Sequence, residues 1–142
     1  MKKLLYFVAI IMAVMAFASC ENAISGKLEG KWRIITATSI ETYGSEPSDT
    51  TIVNLENKFN YWEFLEDGTV ELYYRKDDGE KKYEFEGTWK RNGAKLDLKV
   101  KGIDDVQVDG TIKQLTAAKL VFEMKQTFGD NVILQFFDCK RE

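Results

Sequence analysis

Val70-Glu71-Leu72-Tyr73-Tyr74-Arg75-Lys76-Asp77-Asp78-Gly79-Glu80-Lys81-Lys82-Tyr83-Glu84-Phe85-Glu86-Gly87-Thr88-Trp89 is the stretch that decides the fold. Apolar and charged residues alternate on either side of Asp78-Gly79, so the segment reads as two strands around a tight turn. A two-residue type I′ turn there pairs Asp77 with Glu80, Tyr74 with Tyr83 and Leu72 with Phe85, on one apolar face.

Upstream, a two-residue loop at Glu66-Asp67-Gly68 would throw the apolar sets onto opposite faces. A three-residue loop with Gly68 left-handed and a G1 bulge instead matches Phe64 to Val70 and Trp62 to Leu72. Downstream, a two-residue turn at Asn92-Gly93 sets Trp89 opposite Leu96, Gly87 opposite Leu98 and Phe85 opposite Val100. A three-residue loop at Thr127-Phe128-Gly129 sets Met124 opposite Val132 and Phe122 opposite Leu134. Four turns chosen from local chemistry preserve one continuous face.

Period-two segments recur at about 31–38, 58–66, 69–77, 80–91, 94–101, 104–114, 117–126 and 130–140, with a single proline, Pro47, in the chain. The shared face holds Trp32, Ile34, Trp62, Phe64, Leu72, Phe85, Trp89, Leu98, Val106, Val108, Leu120, Phe122, Met124, Leu134 and Phe136. A sheet of that length curls and closes, which removes its edges. The expected fold is therefore all-β, an eight-stranded antiparallel up-and-down barrel. Residues 39–57 form the one long connection, of a length that in compact domains is usually functional or disordered.

The N-terminus reads differently. Lys2 and Lys3 precede an uncharged apolar run, Leu4 to Ala18, shorter than the ~20 residues of a membrane-spanning helix. It ends in Phe17-Ala18-Ser19-Cys20, which resembles the lipobox of bacterial lipoproteins, although Phe17 departs from the usual Leu or Val. The resemblance implies that 1–19 is a removable lipoprotein signal peptide and that lipid joins Cys20. Two or more acyl chains would make a lasting membrane anchor. The competing reading is an ordinary signal peptide or an uncleaved anchor helix with Cys20 incidental. Residues 20–29 then read as a polar tether and 30–142 as the barrel domain. With Cys20 consumed, Cys139 has no disulfide partner.

Net charge is −3, and no basic run interrupts the chain, so nucleic acid and anionic lipid surfaces are poor partners. There is no histidine, the commonest general base and metal ligand. Asp77-Asp78 and Asp104-Asp105 lie at turns and match no calcium loop. No catalytic residue, metal or cofactor is expected, and the chain is not read as an enzyme.

Gly30-Lys31-Trp32 is similar to the Gly-x-Trp signature of lipocalins. With Phe64-Leu65-Glu66-Asp67-Gly68-Thr69-Val70, Gly87-Thr88-Trp89-Lys90 and Ile112-Lys113-Gln114-Leu115-Thr116, the chain resembles the short lipocalin-like lipoproteins of Gram-negative bacteria over 28–138. That resemblance implies that 39–57 folds over the barrel mouth as a lid, against the plain reading of a mobile loop, and that an Arg near the last strand lies against the first-strand Trp. Lys140 and Arg141 are the two basic residues in range.

The implied function is binding of a small hydrophobic or amphipathic ligand inside a monomeric barrel. The candidate lining is Trp62, Phe64, Leu72, Tyr74, Tyr83, Phe85, Leu98, Phe122, Met124 and Phe136, with tyrosine hydroxyls orienting a polar head. The alternative is a filled barrel acting as a protein-interaction module of the cell envelope. Ile133 and Phe137, read as outward-facing beside Cys139, would suit such a contact surface. The expected location is the cell envelope, as an outer-membrane lipoprotein on either face.

Overall fold

A computed structural model describes residues 24–101 and 107–142. Residues 1–19, Cys20, Asp104, Asp105 and Val106 lie outside the described residues. Nine strands follow in order: β1 Gly30–Tyr43, β2 Asp49–Asn54, β3 Asn60–Phe64, β4 Thr69–Arg75, β5 Lys81–Asn92, β6 Lys95–Val100, β7 Gln107–Leu115, β8 Lys119–Phe128 and β9 Asn131–Arg141. All neighbours are antiparallel, and β1 pairs with β9 from Trp32↔Arg141 to Tyr43↔Asn131. That pairing closes β1 and β3–β9 into an eight-stranded barrel, as the alternation predicts.

β2 is an addition to the expected plan. β1 runs on to Tyr43, and β2 returns along it from Thr36↔Asn54 to Glu41↔Asp49. The segment read as a lid or loop is thus largely a hairpin, because Thr50-Thr51-Ile52-Val53 is β-branched and favours the extended chain.

The turns test the register. At Glu66-Asp67-Gly68 the expected three-residue loop forms: Gly68 has φ +85°, Asp67 Oδ1 accepts the Thr69 N–H at 2.8 Å, and Trp62↔Leu72 and Phe64↔Val70 pair. Asp77-Asp78-Gly79 adopts the same device rather than a type I′ turn. Gly79 also has φ +85°, Asp78 Oδ1 accepts the Glu80 N–H at 3.0 Å, and Lys76 N–H donates to Glu80 O. Tyr73 then pairs with Tyr83 and Tyr74 with Lys82, and a bulge at Glu84 restores Leu72↔Phe85.

The other two turns place glycine first. Asn92↔Lys95 brackets Gly93-Ala94 and Phe128↔Asn131 brackets Gly129-Asp130, with φ +60° and +59° at the glycines, the position type II′ geometry assigns to Gly. At β5–β6 this slides the pairing by two residues, to Trp89↔Leu98 and Gly87↔Val100, and the face survives. At β8–β9 the slip is odd. Phe122 meets Phe137 and Met124 meets Gln135, so Gln135, Phe137 and Cys139 face inward while Leu134 and Phe136 face outward.

The core fills the end of the barrel where β1 begins. Trp32, Phe64, Val70, Leu96, Ile112, Leu115, Leu120, Phe122 and Cys139 pack there, and Leu28 lies over them. Residues 24–29, read as part of a tether, are seated on this end: Ile24 bridges Leu115, and the Ser25 and Gly26 N–H groups donate to Leu115 O. Arg141 locks the arrangement. Its guanidinium lies 4.1 Å over the Trp32 ring and donates to Glu29 O at 2.9 Å, Lys27 O at 2.5 Å and Ala117 O at 2.9 Å.

Candidate ligand cavity

The opposite half of the barrel is not filled. Its floor is Trp62, set by the β1–β3 pair Trp32↔Trp62, with Phe122, Phe137 and Phe85 packed around the indole at centroid distances of 5.5, 5.4 and 5.6 Å. The Phe122 and Phe137 contacts are edge-to-face, the arrangement the ring quadrupoles favour. Above this floor lies a cavity of about 300 Å³. Ile34, Ala37, Leu55, Leu72, Phe85, Met124 and Phe137 form its apolar wall, and Asn60, Glu84, Gln126 and Gln135 its polar part.

Of the residues singled out in the sequence, Trp62, Leu72, Phe85 and Met124 line this cavity. Phe64, Leu98 and Phe122 are fully buried in the packed half beneath. Tyr74 shares the inner face but stands beyond the cavity lining, with Lys82 Nζ 5.6 Å from its ring. Tyr83 and Phe136 are corrections. The Glu84 bulge puts Tyr83 beside Tyr73 on the outer wall, 44% exposed, and the two-residue β8–β9 turn puts Phe136 outside, opposite Glu123 and Thr38.

The outer wall has its own buried aromatics. Tyr61 and Tyr73 pair across β3–β4 with ring centroids 5.5 Å apart, under Lys31 at 4.3 Å and Lys81 at 4.2 Å. Tyr73 donates to Glu63 Oε2 at 2.7 Å. Burial, then that hydrogen bond and the Glu63 charge, push the Tyr73 phenol above its ordinary range. Among the described residues no tyrosine lines the cavity, and its polar lining is Asn60, Glu84, Gln126 and Gln135.

Cys139 is fully buried, opposite Ile34 and Leu120, and Phe137 beside it is interior. The outward contact surface expected from Ile133 and Phe137 is therefore absent: the odd register slip turns both inward. Burial, and then the neighbouring Asp138 charge, push the thiol far up. In the Cys20→Ser variant, the native protein should give no reaction with an aromatic disulfide reagent on the timescale of minutes. After denaturation Cys139 should react fully, as read by released thiolate absorbance. Rapid native labelling would contradict the inward placement.

A larger hollow of about 550 Å³ opens near the end of β6, lined by Thr69, Glu86, Gly87, Thr88, Lys99, Val100 and Lys101. Its lining residues are five polar or charged ones with Gly87 and Val100. The smaller cavity, inside the barrel and lined by eight apolar and four polar residues, is the better site by chemistry.

Residues 28–122 match the family model described as lipocalin-like domain. The chain belongs to the lipocalin-like domain family. The lipocalin-like match begins at Leu28, the residue over the packed end, and takes in the Trp62 floor. Among solved structures, the lipocalin-like chain is similar to a bovine odorant binding protein, a deswapped triple mutant. The identity is 20%, with 81% of this chain and 74% of that one covered, at a TM-score of 0.45. Comparison with curated proteins gives no match.

Within this lipocalin-like barrel, sequence reasoning missed Ala37, Leu55, Asn60, Glu84, Gln126, Gln135 and Phe137 as cavity residues, and placed Ile34 on the inner face without assigning it to the lining. The register expected for the last strand put Gln135 outside, and the polar Asn60 and Gln126 gave no apolar signal although they share the parity of Trp62 and Met124. Arg141 was in range of Trp32, and only the closure of β1 on β9 distinguishes it from Lys140.

Proposed function

We propose that this lipocalin-like chain is an envelope lipoprotein, not an enzyme, that carries lipid on Cys20 and binds a small apolar or amphipathic molecule in its barrel as a monomer. The observation that carries the binding reading is the cavity of about 300 Å³ inside the barrel, lined by eight apolar residues and four polar ones. Lys2, Lys3, the apolar run and Cys20 support the anchor. Ile24 is seated at the filled end, so a lipid four residues earlier would moor the barrel there and leave the cavity mouth facing away.

Native mass spectrometry of the purified protein should reveal a co-purified small molecule or saturable uptake of an apolar probe. Ala37→Trp places an indole in the cavity and should abolish uptake while thermal stability stays within a few degrees. Uptake unchanged by this variant would place binding elsewhere. Metabolic labelling with a clickable fatty acid should mark the protein, and Cys20→Ser should remove the label. Persistent labelling in that variant would remove Cys20 as the anchor.

The interaction-module reading keeps one support. β2 has a free edge among the described strands, with Ile52 68% and Val53 41% exposed. A barrel that carries nothing and admits no probe would favour it.

A further inference from the structure

We infer that the occupant of the cavity is uncharged and bears a hydrogen-bond acceptor, such as a ketone, ester or alcohol, that meets the indole N–H of Trp62. This rests on the proposed binding function. The chain has three tryptophans. Trp32 Nε1 donates to Leu28 O at 2.7 Å and Trp89 Nε1 to Leu65 O at 3.1 Å. Trp62 Nε1 is fully buried with no acceptor, and Trp62 is the tryptophan among the cavity residues, so an occupant meets this N–H by a small shift of the indole at the floor. A buried donor left unpaired is costly, and native structures rarely keep one without a reason. An acceptor atom on the occupant would satisfy it.

Charge narrows the class. No Lys or Arg lines the cavity among the described residues. Lys82, on the inner face beyond the lining, sits over the Tyr74 ring. A carboxylate occupant would enter with no cation in the lining and with Glu84 at the exposed rim, so desolvation is the main cost and a screened like-charge repulsion adds to it. An ammonium could approach Glu84 but would offer nothing to the Trp62 N–H. A neutral acceptor suits the Trp62 donor, and the amide N–H groups of Asn60, Gln126 and Gln135 can also serve it.

Four probes with one shape and different heads test this by calorimetry on the purified protein: butylbenzene, benzylacetone, phenylbutyrate and phenylbutylamine. Benzylacetone should bind about 10-fold tighter than phenylbutyrate or phenylbutylamine, and several-fold tighter than butylbenzene. Trp62→Phe should erase the preference for benzylacetone over butylbenzene; because this is a ratio within one variant, general destabilisation does not move it. Glu84→Gln should improve phenylbutyrate alone. Tighter binding of the acid or the amine, or a ratio unchanged in Trp62→Phe, would overturn the inference while leaving cavity binding intact. Failure of all four to bind would overturn the binding reading itself.

Discussion

Arg141→Ala should lower the stability of the barrel by about 2–4 kcal/mol, since the change removes a cation–π contact and three hydrogen bonds at once. The side chain sits over Trp32 and donates to the carbonyls of Lys27, Glu29 and Ala117, joining the lead-in segment, the start of β1 and the β7–β8 turn. Truncation leaves three acceptors to find water at the filled end. Arg141→Lys should recover less than half of the loss, because an ammonium cannot reproduce the planar fork or its stacking on the indole. Lys140→Ala, one residue earlier and exposed, should change little. Urea denaturation gives the magnitudes, and hydrogen exchange gives the location. The amides of Ser25 and Gly26, bonded to Leu115 O, should lose protection in Arg141→Ala well before the barrel strands do.

The second large effect is expected at Gly87. A Cβ there would lie 2.0 Å from the Lys99 carbonyl oxygen and 3.0 Å from the Phe85 ring. The obstacle is backbone of the paired strand, so it cannot be relieved by a rotamer change. β5 and β6 must part where Gly87 pairs with Val100. Gly87→Ala should therefore cost about 2–4 kcal/mol, near 10 °C in melting temperature for a domain of this size. Thr88→Ala, exposed at the next position, is the control and should fall within about 0.5 kcal/mol. Equal melting temperatures for the two variants would mean that the strands tolerate separation at this point.

How far the sequence could be read depended on how strongly each turn and strand voted. Asp67-Gly68 voted clearly: the aspartate cap, the left-handed glycine and the apolar match at Trp62–Leu72 agreed, and the observed register is the expected one. Asp78-Gly79 carries the same chemistry, yet the correct loop requires an extra residue at Glu84, and a bulge leaves no mark on composition. In β9, Val132-Ile133-Leu134 and Phe136-Phe137 are apolar on both faces, so alternation could not choose between registers one residue apart. The decision fell to whether Gly129 stands first or last in its turn, and that single choice reversed Phe136 and Phe137 and brought Gln135 inside. The architecture was legible because many strands reported it. Half of the cavity wall was not, because it depends on two such choices and on polar residues that give no apolar signal.

The closing seam between β1 and β9 also sets an order of events in time. Along one edge β1 finds β2 and β3, within some thirty residues, but its other edge is met by β9, about a hundred residues later. Contacts so distant in sequence form late, after most of the entropy of ordering the chain has been lost, and barrels dominated by them fold in milliseconds to seconds rather than microseconds. Until the C-terminal strand docks, β1 and β8 both present unpaired edges and Trp32 lacks its Arg141 cover. A chain delivered N-terminus first therefore stays open for as long as its tail is withheld.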